Sequence, residues 1–252
     1  ALVQKDLKQI LAYHTVSQIG LMMMGLSSLN DVSFSGGFLH IINHAFFKSL
    51  LFLAAGQIIY AYKTKKVYDI QGVFKTMPFT AILLIIGMLS ISGMPFFSGY
   101  VSKSLIKYAF KDNTFHMILY TLINIGTVTS FLKFSRILFG PKLDVMFIFR
   151  DSKRVIAMAL LAIVSIAIGI FYLPIITQVF GFEATQVNLF DIRSWLDYIL
   201  YVSIGLVLYR VVIKKDFKFL QKIRNFSMSF EDANYALILF MSVFISVMFF
   251  MI

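Results

Sequence analysis

Cysteine is absent from this chain, proline occurs four times, tryptophan once, and charged residues fill only 14% of its 252 positions. Without cysteine there is no disulfide, no thiolate zinc site, no cysteine-ligated iron–sulfur cluster and no thiol catalysis. The charged share is about half that of an average soluble domain. Beside it stand 59% hydrophobic residues, with 28 Phe and 13 Met. A globule of this size cannot hide so much apolar side chain and keep a wettable surface. Lipid is therefore the expected solvent for most of the chain. Also missing are a phosphate-binding glycine loop, a dinucleotide fingerprint and a serine or aspartate constellation for hydrolysis. No cofactor and no redox or hydrolytic site of its own is expected. Ahead of the first apolar stretch there is no basic segment of the signal-peptide kind.

What is present is a series of apolar stretches long enough to cross a roughly 30 Å hydrocarbon layer, each needing about 20 residues. They run approximately over 10–29, 37–61, 78–97, 100–138, 154–180, 194–214 and 233–252. The fourth is too long for one simple crossing, and Lys111, Asp112, Asn113 and Thr114 interrupt it. It reads as one traverse in two helical pieces; two complete crossings are the alternative. Basic residues decide between them. With a single traverse, sixteen of the 23 basic residues fall in one set of alternating loops and only Arg193 in the other. That bias puts the N-terminus on the inner side and the C-terminus on the outer side. The fold class expected is all-α, a polytopic transmembrane bundle of about seven spans. The +11 charge is spread over four loops without a binding face, so nucleic acid is not a partner. Residues 215–229 interleave Phe217, Phe219 and Ile223 with Lys218, Lys222 and Arg224, the pattern of an interfacial amphipathic segment.

Six basic residues stay in or beside spans. Lys133 and Arg136 sit near a span end and can snorkel to the interface. Lys111 belongs to the interruption. Lys48 lies midway along 37–61, and His40, His44 and Lys48 follow one another at i, i+4 and i+8, on one helical face. A mid-bilayer ammonium costs at least a few kcal/mol and ordinarily marks a wet interior and an ion path. The competing reading is a lysine pinned by carbonyls to lock helix packing. His40 and His44 could supply two metal ligands, but no third is evident, so no metal site is expected. Gly93, Pro95 and Gly99 end one span sharply. Lys103 and Lys107 follow one turn apart, where like charge and burial both favour losing a proton; snorkelling remains the alternative for Lys107. Near the start, Asp6 and Lys8 precede Tyr13, His14, Thr15, Ser17 and Gln18. Lys8 is an ordinary flank in an isolated chain and a buried base inside a longer bundle. No acidic residue lies deep in a span; Asp197 is among the nearest.

Three strings, in order, resemble the antiporter-like subunits shared by respiratory complex I and the Mrp cation/proton antiporters. They are Gln4-Lys-Asp-Leu-Lys8 through Gly20, Phe38-Leu-His40-Ile-Ile-Asn-His44-Ala-Phe-Phe-Lys48, and Gly93-Met-Pro95-Phe-Phe-Ser98-Gly99-Tyr-Val-Ser-Lys103. The match covers about residues 1–140. The resemblance implies two inverted five-helix repeats, each with an interrupted helix, of which 1–140 is the second and 141–252 trailing helices. It implies that Lys8 is a central lysine, that His40, His44 and Lys48 form a relay, and that Lys103 is the terminal ionisable group. It further implies H⁺, and Na⁺ in some members, as the species moved. Other membrane subunits would be partners and an energy-transducing membrane, bacterial or archaeal plasma membrane above all, the location. The chain departs from the family in lacking the first repeat, which suggests a piece of a longer subunit. His14 stands where Ser is common, an ionisable group without an assigned role. Phe96 replaces a second proline. Ser104 follows Lys103 where the distal complex I subunit tends to carry an acid, and 215–229 is too short for its long lateral helix. Both points lean toward an Mrp D-like or hydrogenase-linked member.

Overall fold

A computed structural model of the protein describes residues 1–28, 30–142, 152–181, 187–215 and 217–225, with a few isolated positions beyond. Every regular element among them is helical: α1 Leu7–Leu26, α2 Asp31–Tyr62, α3 Val73–Thr76, α4 Pro78–Ser92, α5 Ser98–Ala109, α6 Thr114–Ser135, α7 Ser152–Ile170, α8 Tyr172–Phe180, α9 Ile192–Leu208 and α10 Lys218–Asn225. The chain is an all-α polytopic membrane bundle. Four of the described helices, counting the short helical extensions of α6 and α9, are long and apolar enough to cross a membrane: α2, α6, α7 and α9. The chain divides into two compact units, Ala1–Lys215 and Asp216–Ile252.

Helix ends follow local chemistry. Asp6 accepts from the amides of Lys8 and Gln9 to cap α1, and Asn30 does the same for α2 from Val32 and Ser33, filling donors a first turn leaves open. Asp6 also pairs with Lys65 at 3.0 Å, tying the start of α1 to the segment after α2. Gly93 closes α4 at φ 79°, a conformation open to glycine at no steric cost. The expected interruption of 100–138 is present: α5 stops at Ala109, and Asn113 starts α6 by accepting from the His116 amide at 3.1 Å.

The stretch expected as one span at 154–180 is two helices, α7 and α8, parted at Phe171. Pro174 has no amide for the Ile170 carbonyl and its ring crowds that turn, so the ladder breaks there. The seventh expected span, 233–252, lies outside the described residues apart from isolated helical positions such as Tyr235 and Ile238. In the second unit α10 exposes Phe219 and Ile223; residues 226–229 of the expected amphipathic segment are not described.

Polarity in the first unit is inverted relative to a soluble protein. Val16, Ile19, Met23, Ile41, Ile118 and Leu122 face outward, while Gln18, His40, Asn43, Ser102, Lys103, Asn124 and Thr127 are buried. This is the arrangement expected when lipid, not water, surrounds the bundle and polar groups must pair internally. Glycines let the polar helices approach. A Cβ built on Gly25 of α1 would lie 2.8 Å from the Gly37 Cα of α2, and one on Gly36 of α2 would lie 2.6 Å from the Leu105 Cβ of α5. Small residues at such crossings are the usual device of membrane helix packing.

Candidate functional site

The buried polar side chains of α1, α2, α5 and α6 converge. His40, fully buried on α2, has its Nε2 2.9 Å from Gln18 Oε1 on α1 and its Nδ1 2.8 Å from Ser102 Oγ on α5. An amide oxygen only accepts, so Nε2 carries a proton and donates to Gln18. Neutral His40 then accepts from Ser102 at Nδ1. On protonation Nδ1–H donates instead, and the Ser102 hydroxyl must turn to another acceptor. The Ser98 and Gly99 carbonyls, each 3.4 Å away, are in place for it. Asn43 braces the same hydroxyl, donating to Ser102 Oγ at 3.3 Å and to the Ser98 carbonyl at 2.8 Å. Gln18 reaches on to Thr127 of α6 at 3.5 Å.

One turn from Thr127 stands Asn124, whose Oδ1 accepts from Lys103 Nζ at 2.9 Å while its amide donates to the Tyr120 carbonyl. Lys103 is 2% exposed and also donates to the Ile91 carbonyl at 2.8 Å. Both acceptors are neutral. A cavity of about 40 Å³ adjoins the ammonium, lined in part by Tyr120, Asn124, Lys107, Asp197 and Tyr198, room for about two or three waters. A second recess of about 300 Å³ shares Tyr100, Ser104, Lys107 and Ser194 with the first and adds Lys111, Asn188 and Asp191. Lys107, between the two, pairs with Asp197 of α9 at 2.8 Å, both side chains about one-third exposed. It is a partly buried ion pair rather than a side chain reaching alone for the interface. At the edge of the recess Ser194 holds the Asp191 carboxyl below its ordinary range by a hydrogen bond.

The other arm is sparser. Lys48 donates to the Leu11 carbonyl of α1 and lies 5.6 Å from the Phe52 ring centre. His44 is half-buried, edge-on to Phe47 at 5.4 Å, and its Nε2 is buried without a partner among the described residues. Lys8 is exposed on the first turn of α1, one turn before Leu11. Gly93 and Pro95 form the α4–α5 turn, where Phe96 adopts φ 75°. Gly99 instead belongs to α5 itself, its α-carbon pressed against the Ser90 carbonyl.

Lys133 corrects the expectation of snorkelling. It is 1% exposed and donates to the carbonyls of Ala1, Leu2 and Gln4 at 3.2, 2.6 and 2.5 Å. The open carbonyls ahead of α1 give it a closer anchor than the interface. Arg136 does remain exposed, over the Tyr68 ring at 4.9 Å. Sequence reading missed Ser102, Asn124 and Thr127. The signal available for them was polarity within apolar stretches, Asn124 and Thr127 standing i, i+3 in α6.

A bundle with a lysine- and histidine-bearing polar interior beneath an apolar exterior defines a class, membrane subunits with ionisable groups inside the protein. The family follows from comparison. Residues 1–133 match the profile of the NADH:quinone oxidoreductase/Mrp antiporter transmembrane family, and the chain belongs to that family. NADH-ubiquinone oxidoreductase chain 5 of Bos indicus is 42% identical over 132 residues, which are 52% of this chain and 21% of that protein. Chain 5 of Rhinoceros unicornis is 47% identical over 107 residues, 42% of this chain and 17% of that protein. The aligned stretch thus spans about a fifth of the curated relatives' length. Among solved structures, the Mrp complex from Dietzia sp. DQ12-45-1b has a similar fold, with TM-score 0.62 at 22% identity, covering 79% of this chain and 46% of that one.

Proposed function

We propose that this chain moves protons, or Na⁺ in exchange for protons, through the membrane as part of a subunit of a redox-driven pump or an Mrp-type antiporter. The observation that carries the reading is the four-helix chain of buried polar contacts from Thr127 through Gln18 and His40 to Ser102, one residue from Lys103. Lys48, His44, His40 and Lys103 hold or pass the proton, Lys8 leads into them, and the cavity beside Lys103 opens past Lys107 toward the recess. The Lys111 recess then lies toward the outer side, with the N-terminus inner, as the loop charges require. Residues 1–140 form the second antiporter-like repeat and 141–252 its trailing helices. Energy arrives from neighbouring membrane subunits. Identity of 42% and 47% to chain 5 proteins favours the redox-driven parent over the Mrp D-like or hydrogenase-linked one. The two curated relatives named above are mammalian and lend the bacterial or archaeal location no support.

The test is Lys48→Ala and Lys103→Ala in the complete complex, reconstituted into vesicles with a pH-sensitive dye. Each should abolish proton uptake; unchanged pumping in both variants overturns the reading. A second reading is favoured by the carbonyl partners of both ammonium groups, Leu11 and Ile91: the lysines lock helices together. In that case Lys103→Met lowers thermal stability of the complex and leaves transport intact.

A further inference from the structure

His14 is 2% exposed, and among the described residues neither of its ring nitrogens has a hydrogen-bond partner. Buried polar groups are nearly always paired, so an unpaired one calls for an explanation. Its position supplies one. On α1 it lies three residues after Leu11, whose carbonyl holds Lys48, and four before Gln18, which holds His40. Residues at i, i+3 and i+7 share one helical face, so the imidazole stands between the two arms of the polar path. The charges that act on it are those of Lys48 of α2, the Ala1 amino group, Lys103 of α5 and Lys133 of α6. The ring is held by stacking on Phe131, with centres 4.7 Å apart and planes 20° from parallel. A half-turn about its Cβ–Cγ bond exchanges the ring edges and restores the same stacked plane. No hydrogen bond has to break for it to turn.

We infer that His14 is the proton carrier joining the Lys48 arm to the Gln18–His40 arm. One ring nitrogen takes a proton from the Lys48 side, giving the imidazolium. The other nitrogen then releases its proton through water to the Ser102 hydroxyl, which passes its own proton to the open Nδ1 of His40, leaving the neutral His14 ring in the opposite tautomer. A half-turn of the ring resets it. Water molecules bridge the distances, and no other reactant is consumed. This deepens the path proposed above and rests on it.

The experiment uses the complete complex in vesicles and compares His14→Gln, His14→Phe, Lys48→Ala and Lys103→Ala for proton uptake per turnover. Glutamine keeps a hydrogen-bonding side chain of similar size but cannot carry a proton through two sites. Assembly, read on native gels, should be unchanged in His14→Gln. Its proton uptake should fall by about a hundredfold, the scale of a lost proton-transfer group. Wild-type uptake in His14→Gln overturns the inference, whatever His14→Phe does, because the site then needs only bulk or a hydrogen bond. If His14→Gln pumps normally while Lys103→Ala is dead, the His14 assignment alone falls. If Lys103→Ala and Lys48→Ala also pump, the path itself falls with it.

Discussion

His40 and His14 are equally buried, at 0% and 2% exposure, and oppositely served. Both nitrogens of His40 are engaged, and its partners are themselves braced by Asn43 and Thr127. Neither nitrogen of His14 is engaged, and an aromatic face is what holds it. The same side chain, equally buried, is fixed by hydrogen bonds in one place and held by stacking alone in the other. Burial alone therefore says little about what an intramembrane histidine does. The number and geometry of its fixed partners say more, since a fully paired network rigidifies its members.

The contrast can be broken, and the largest effect is expected where a charge depends on one neutral side chain and one carbonyl. Asn124→Leu removes the side-chain acceptor of Lys103. It should destabilise the assembled complex by about 3 kcal/mol, the scale of a buried charge left without its partner. Thermal unfolding in detergent reads it, and an unchanged midpoint would show that the Ile91 carbonyl suffices. Next comes Gln18→Leu, which makes His40 resemble His14 by orphaning its Nε2–H. A loss of about 1–3 kcal/mol is expected for a buried donor left unpaired, and the same melting experiment measures it. A cost no larger than that of His14→Phe would erase the distinction between the two histidines.

Ser102→Ala is milder, because it removes one neutral hydroxyl from the paired site. Hydrogen bonds between membrane helices average about 0.6 kcal/mol, and a shift of that order is expected. Proton uptake should suffer more than stability, since the hydroxyl must turn when His40 gains a proton. The smallest effect lies beyond both histidines, at the Asp191 cap of α9, the helix that carries Asp197. Its carboxyl is held below the ordinary value of 3.8 by the Ser194 hydroxyl and by the Ser194 and Arg193 amides. A depressed folded value contributes stability that is fully present above about pH 4 and is lost as the pH falls through the folded value. Asp191→Asn should flatten that acid limb of the melting curve and leave neutral pH almost unchanged.

Much of this architecture was legible in the sequence. The polar run at 111–114 marked the break that the structure puts between Ala109 and Thr114, because uncapped helix ends in lipid need polar groups. The i, i+4, i+8 spacing put His40, His44 and Lys48 on one α2 face, a property of helical geometry alone. The partners were not legible. Gln18 and His40 are 22 residues apart, Lys103 and Asn124 21, and Lys107 and Asp197 90. Such pairings are decided by how helices cross, and no local pattern encodes that. Lys133 shows the same limit: its position near a span end pointed to the interface, while three carbonyls ahead of α1 supplied nearer acceptors. Pro174 is a local signal present in the sequence itself, and it divides α7 from α8.

Where Gly25 meets Gly37 and Gly36 meets Leu105, backbones touch without space for a solvent molecule between them. A charge crossing a polarised membrane is worth about 2.3 kcal/mol per 100 mV, and any continuous thread of liquid would short that voltage. For the path proposed above, the glycine seam is the electrical insulation. It leaves no room for bulk water at these two crossings, which confines the proposed current to the polar side chains and the waters between them. A methyl group added there should distort the packing, and the fault to look for is leakage as much as instability.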